Sequence, residues 1–263
     1  ATAKITNNLS NRNLIINGAM QVWQRGTSSN LVGYRTADRF KTVFSGTNED
    51  PTRSKLDLTS SDTGPWAKGF RTAYRITNGN QTSVEAGDFI KTEYHIEAQD
   101  LANSGWDYTS ASSKITLSFW VRSSIAQTFY TQLKSEDGTN KMYYFSYTLS
   151  ANTWAKVTHT IPGHADLTFD NNNGAGAYIA FYQYRGTNNT GTVTANQWNA
   201  YDASILTADQ TDTWYDTNDA TWDLTGVQLE IGDTVTDFEH RSYGDELARC
   251  QRYYETSYPS GYS

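Results

Sequence analysis

Along most of this chain every second residue is apolar. Lys114 to Arg122 shows the habit most clearly: Ile115, Leu117, Phe119 and Val121 share one face, and Thr116, Ser118, Trp120 and Arg122 share the other. Phe70 to Thr77 sets Phe70, Thr72, Tyr74 and Ile76 against Arg71, Ala73, Arg75 and Thr77, and Phe89 to Ala98 repeats the alternation. Ser135-Glu-Asp-Gly-Thr-Asn140 reads as a hairpin connection between Gln127 to Lys134 and Lys141 to Thr148, because Asp-Gly supplies the positive φ of a tight turn. Trp154 to Ile161 alternates and stops at Pro162-Gly163, and Ala177 to Arg185, rich in Tyr and Phe, follows the Asn171-Asn-Asn-Gly turn. In Thr225 to Ile231 the pattern turns Thr225, Val227 and Leu229 inward and Gln228 and Glu230 outward, until Gly232-Asp233 ends the strand. Many short strands with frequent turns predict an all-β sandwich or barrel.

One segment has a different period. Asp245 to Tyr254 predicts a short helix, with Asp245 and Glu246 in its first turn, Arg249 and Arg252 toward its end, and Leu247, Cys250 and Tyr254 on one face. That apolar stripe needs a partner. Leu206 to Ala220, dense in Asp and Thr, reads as a long surface loop. No repeat of 20 to 50 residues suggests a propeller or solenoid, and a chain of 263 residues fits one large β domain, expected over 13–255. Residues 1–12 are polar and read as extended, and 256–263 as a frayed tail.

The two ends carry the most specific motifs. Asn13-Leu-Ile-Ile-Asn-Gly-Ala-Met-Gln-Val-Trp-Gln-Arg-Gly-Thr27 with Thr36-Ala-Asp-Arg-Phe40 opens the domain. Thr225-Gly-Val-Gln-Leu-Glu230, Phe238-Glu-His-Arg241 and Glu246-Leu-Ala-Arg-Cys-Gln-Arg-Tyr-Tyr254 close it. Together they resemble the receptor-binding domains of tailed-bacteriophage tail fibres. Lys114-Ile-Thr-Leu-Ser-Phe-Trp-Val-Arg-Ser-Ser124 and Ala151-Asn-Thr-Trp-Ala-Lys-Val-Thr-His-Thr-Ile-Pro-Gly163 are similar to jelly-roll carbohydrate-binding modules, a likeness covering roughly Phe70 to Leu229. The resemblance implies an antiparallel jelly-roll-type β-sandwich with a short C-terminal helix, placed at the tip of a tail fibre on the virion. Residues 1–12 would then continue a fibre shaft. It also implies a homotrimer, for which Leu14, Ile15 and Ile16 with Leu247, Cys250 and Tyr254 are the candidate interface.

Charge and chemistry narrow the partners. The net charge is 21 − 28 = −7, with no basic stripe to neutralise phosphates, so nucleic acid is excluded as an expected partner. No apolar run approaches the ~18 residues of a membrane span, and the first residues lack the layout of a secretory signal. Cys250 is the sole cysteine and reads as a small buried hydrophobe. The histidines His95, His159, His164 and His240 are scattered, so neither a metal site nor a cofactor is expected. Loops at Asp166 to Asn173 and Asp209 to Asp223 hold oxygen ligands suited to a structural calcium, although Asx turns use the same residues. Asp100, Asp107, Asp202 and Glu230 are the carboxylates a glycan depolymerase could draw on, but no spacing singles out a pair. No catalytic residue is assigned.

The aromatic content is the remaining signal: 14% of residues, including 18 Tyr and 8 Trp, against 19% charged. Sugar rings present apolar C–H faces that stack on such side chains. Trp120, Tyr130, Tyr144, Tyr182 and Tyr184 form the expected platform, with Gln132, Gln183 and Arg185 to satisfy hydroxyls. The same side chains would serve equally in the core of a sandwich or at a subunit contact, and Trp23, Trp66, Trp106 and Trp198 offer alternatives. The function read from sequence is non-covalent binding of a bacterial surface polysaccharide, capsule or lipopolysaccharide. A capsule-degrading enzyme and a purely structural trimerisation module stand as alternatives.

Overall fold

A computed structural model describes residues 11–256. The expected shaft segment and C-terminal tail therefore lie almost wholly outside the described residues. Strands follow in the order β1 (Ser28–Ser29), β2 (Phe40–Ser45), β3 (Thr52–Asp57), β4 (Thr72–Thr77), β5 (Phe89–Glu97), β6 (Lys114–Ser123), β7 (Gln127–Ser135), β8 (Lys141–Leu149), β9 (Ala155–Pro162), β10 (Ala175–Arg185), β11 (Trp198–Ala200) and β12 (Thr221–Ile231). Helices are short: α1 (Ala98–Ala102), α2 (Thr213–Asp216) and α3 (Tyr243–Gln251).

The strands form two six-stranded sheets. Sheet 1 runs β1-β3-β4-β12-β6-β9 and sheet 2 runs β11-β8-β7-β10-β5-β2, with every strand pair antiparallel. Successive strands from β4 to β10 cross repeatedly between the sheets, giving a β-sandwich of jelly-roll type. The predicted hairpin is β7 and β8, with Gly138 at φ +60° in its turn.

The apolar faces read from the alternation meet between the sheets. Ile115, Leu117, Phe119 and Val121 of β6 pack with Phe129, Phe145, Ile179, Phe181, Leu224 and Leu229 in one buried cluster. Phe119 sits edge-on to Tyr147 at 5.4 Å and to Phe181 at 5.1 Å between ring centroids. Each such ring contributes about 1.5–3 kcal/mol by leaving water.

β12 departs from the expected phase. Its register against β6 slips between Thr225 and Gln228, and Gly226 takes φ +64° there. The bulge resets the alternation, so Thr225 lies beside Trp120 on the outer face, its hydroxyl donating to Thr72 O at 2.8 Å, while Leu224 and Val227 face the core. Leu206 to Ala220 is also not a surface loop: Leu206, Thr207, Trp214, Tyr215 and Ala220 are buried, and α2 plugs one end of the core.

Beyond the bulge, the edge of β12 that β4 leaves open is taken by the N-terminal segment. Leu14 N donates to Leu229 O at 2.9 Å and Val227 N to Gly18 O at 2.9 Å, while Asn13 Oδ1 accepts from Leu229 N at 3.0 Å. α3, capped by Ser242, then lays Cys250 and Leu247 on Ile16 and Val22. Three of the six residues expected at a subunit interface are therefore turned inward. Ile15, Ile16 and Cys250 are buried within the chain, Leu14 packs on the core, and Tyr254 lies beneath the Arg25 guanidinium at 3.4 Å. The apolar stripe of the helix thus packs on the chain's own N-terminal segment.

Candidate functional site

The outer face of sheet 1 carries an aromatic cluster where a solvated sheet ordinarily shows polar side chains. β6 contributes Trp120, the turn after β3 contributes Trp66, the residue before β9 is Trp154, and Phe238 comes from the stretch before α3. They pack around Leu58, Phe70 and Ala73 but remain partly open to solvent.

Backbone geometry places these rings. Gly64, at φ +98°, lies flat against the Trp120 indole where a Cβ would collide with it, and a Cβ on Gly226 would strike the Phe70 ring. Phe238 meets Phe70 edge-on at 4.8 Å, and His240 leans on both at 5.1 and 4.9 Å. His240 Nε2 lies 2.7 Å from the Lys68 carbonyl oxygen, which can only accept, so that nitrogen carries the proton. The result is a pocket of about 280 Å³ floored by Phe70 and Gly226 and walled by Trp120, Phe238, His240, Ser118, Lys68 and Lys156.

Charged groups brace the aromatic cluster. Arg122 stacks 4.7 Å from the Trp154 ring and reaches Asp62 and Asp223, each at 2.8 Å, while Arg75 binds Asp223 at 2.7 Å. Trp154 Nε1 donates to Asp62 at 3.1 Å. Burial pushes the Asp62 carboxyl up, but hydrogen bonds from Thr59 and Trp154 and the Arg122 charge outweigh it and hold the group below the usual carboxylate range. Arg71 covers Trp66 at 3.8 Å. Beside the pocket, Ser118 of β6 pairs with the exposed Thr158 of β9, while the buried Thr116 hydroxyl donates to Gly232 O at 2.8 Å.

The structure divides the residues expected to form the platform. Trp120 belongs to sheet 1, whereas Tyr130, Gln132, Tyr144 and Tyr182 share the outer face of sheet 2. That second face is roofed by residues 186–209. Gln132 Nε2 donates to Leu206 O at 3.0 Å, the Tyr144 hydroxyl to Val193 O, and the Tyr130 hydroxyl to Asp209 O at 3.4 Å. Arg185 binds Asn189 in the same segment. Tyr182 and Gln132 are fully buried and Tyr144 is 2% exposed, so none presents a ring or amide to a sugar. Burial accordingly pushes the Tyr182 phenol above its ordinary range. Tyr184 turns into the core and stacks on Tyr215 at 4.3 Å, and Gln183 is buried. Alternation had shown which residues share a face of one strand; it carried no information on which strands share a sheet.

Of the alternative tryptophans, Trp66 joins the pocket face. Trp23 stacks on Tyr74, Trp106 packs beside Phe169, and Trp198 donates to Pro162 O at 2.7 Å. Sequence reasoning missed Trp154, Phe238 and Lys156. Lys156 carried no cue in the sequence, because it is the pairing of β6 with β9 that puts it opposite Trp120.

Asp100 and Glu230, two of the four candidate acids, line one larger cleft of about 690 Å³ with Arg12 and Arg249. Glu230 is committed elsewhere: Oε1 accepts from Thr236 N and Gln228 Nε2, both at 2.9 Å, and Oε2 from Thr236 Oγ1 at 2.6 Å. Among the described residues, no three His, Cys, Asp or Glu side chains converge as a metal site requires, and no helix is long and apolar enough to cross a membrane. The Asp166 carboxylate pairs with Lys141 at 2.6 Å.

No protein-family profile matches this chain, and no curated protein sequence does. Among solved structures it is similar to the N-terminal cellulose-binding domain of a β-1,4-glucanase from Cellulomonas fimi, with 13% identity, 82% of this chain and 99% of that one covered, and a TM-score of 0.36. A family 61 carbohydrate-binding module in complex with β-1,4-galactotriose matches at 6% identity over 85% and 99% of the two chains, TM-score 0.38. The apo form of a cyclase from Fischerella sp. matches at 8% over 88% and 97%, TM-score 0.42. At such scores, function has to be read from this chain's own side chains.

Proposed function

We propose that this chain binds a bacterial surface polysaccharide without making or breaking a bond, and that a sugar ring docks on Trp120 in the sheet 1 pocket. One observation carries the reading: Trp66, Trp120, Trp154 and Phe238 cluster on the solvent side of a sheet, and Trp120 and Phe238 wall a pocket there that is edged by Ser118, Lys68 and Lys156. A stack of C–H groups on an indole, with directed hydrogen bonds at its rim, is how a polar ring leaves water at little cost. Resemblance of the terminal motifs to tail-fibre domains supports placing this activity at the tip of a phage tail fibre. There, a homotrimer would raise weak single-site affinity by about 10² to 10⁴ through avidity. With Ile15, Ile16 and Cys250 buried inside the chain, such a trimer would form through other surfaces.

The test is titration of the isolated chain against a panel of capsular and lipopolysaccharide glycans, with its mass in solution measured alongside. Trp120→Ala should weaken binding about tenfold, the ~1.4 kcal/mol of a lost ring stack, with the glycan recovered at its original length. Unaltered binding by Trp120→Ala would discard the pocket. Hydrolysis is the competing reading, for which Asp100 in the larger cleft is the candidate acid; shortened polymer, abolished by Asp100→Asn, would establish it instead.

A further inference from the structure

We infer that the saccharide held on Trp120 is acidic, its carboxylate received by Lys156; this rests on the pocket being the sugar site. Lys156 lies directly opposite Trp120 across the β6–β9 ladder, where the Cβ atoms of paired residues stand about 5 Å apart. Both line the pocket. Lys156 is exposed, and the ion pairs and cation–π contacts of this face go to its neighbours: Arg122 takes Asp62, Asp223 and Trp154, and Lys68 takes Asp237. Asp223 and Asp62 are thereby neutralised by arginines. The Lys68–Asp237 pair, at 3.4 Å with both side chains mostly in solvent, is weak and leaves Lys68 free to turn toward a ligand. Lys68 and Lys156 against Asp237 make the pocket wall 2 − 1 = +1, on a molecule whose net charge is −7. A neutral ring seated on Trp120 would offer the Lys156 ammonium only hydroxyl oxygens in exchange for its water, whereas a uronate ring supplies a counter-charge and a stronger, charge-assisted hydrogen bond.

The experiment sets uronate-bearing capsular polysaccharides beside the same polymers after chemical reduction of their carboxyls, and adds polymers whose charge is phosphodiester. The full chain is titrated as wild type, Lys156→Ala, Lys156→Arg and Trp120→Ala. Expected are an approximately tenfold loss on carboxyl reduction, an equal loss for Lys156→Ala on the native polymer with none on the reduced one, recovery by Lys156→Arg, and weakening as salt is raised. Lys156 is exposed, so its variants should melt with the wild type. Equal binding of native and reduced polymer, with Trp120→Ala weakening both, would overturn the acidic assignment and leave the pocket standing. Preference for the phosphodiester polymers would overturn the carboxylate. Binding that ignores Trp120→Ala would remove the pocket and this inference together.

Discussion

Asn17 shows how much a single side chain can hold. It sits fully buried at φ +61°, where asparagine is among the few tolerated non-glycine residues. Its Oδ1 accepts from Gln21 N and Val22 N, and its Nδ2 donates to Val22 O and Asp38 O, all at 2.9 Å. Gly18 follows because any Cβ there would run into the Val227 carbonyl. Asn17→Ala removes four hydrogen bonds and leaves Gln21 N, Val22 N and Asp38 O without those partners, while Val22 O keeps its bond from Asp38 N, so chemical denaturation should show a loss of about 3 kcal/mol. The Asn17-Gly18 pair was visible in the opening motif, but its reason was not, because the groups it serves, up to Asp38 and Val227, are brought near only by the fold. Trp120 was likewise identifiable by its place in the alternation, whereas Gly64, which backs its ring, was not.

At the level of elements, strand positions were legible because period two survives wherever one face is buried and the other is not. Three features were hidden. The Gly226 bulge shifts the phase of β12 by one residue, the roof over sheet 2 buries tyrosines that alternate as if exposed, and α3 docks in cis. Each depends on a partner more than ten residues away. The docking of α3 makes a prediction that differs from an interface role. Leu247→Asp puts a charge against Ile16, Val22 and Tyr253, and should cost about 2–4 kcal/mol of folding stability. Thermal melting checks the loss, and sedimentation of the folded fraction should show no change in assembly. Dissociation of an assembly with an unchanged melting temperature would restore the interface reading.

For the whole molecule, the two sheets meet at a rim where a half-buried histidine packs against an aromatic ring. His159 of β9 stacks on Phe145 of β8 at 4.0 Å and 4°, with Tyr143 Oη at 3.2 Å from its Nε2. Burial lowers its pKa below the ordinary value, so the native state favours the neutral ring. An unfolded chain takes up a proton below about pH 6.5 that the native chain resists. The contribution is therefore full above that pH and is lost as pH falls through the lowered native value. The melting temperature should decline from pH 7 to pH 5, and His159→Phe should flatten part of that slope; an identical profile for the variant would assign the decline to other groups.

The clasp between the first and last described segments has a kinetic consequence. Asn13 bonds to Leu229 and Glu246 to Asn17, partners separated by 216 and 229 positions. A chain emerging from the ribosome N-terminus first must hold residues 13–18 in waiting until residues 227–246 have been made. Contacts of such long range slow folding and lengthen the interval in which unpaired strand edges stay open to aggregation. Production of this molecule should accordingly favour cool, slow synthesis and chaperone assistance, since residues 13–18 find their partners only when residues 227–246 emerge.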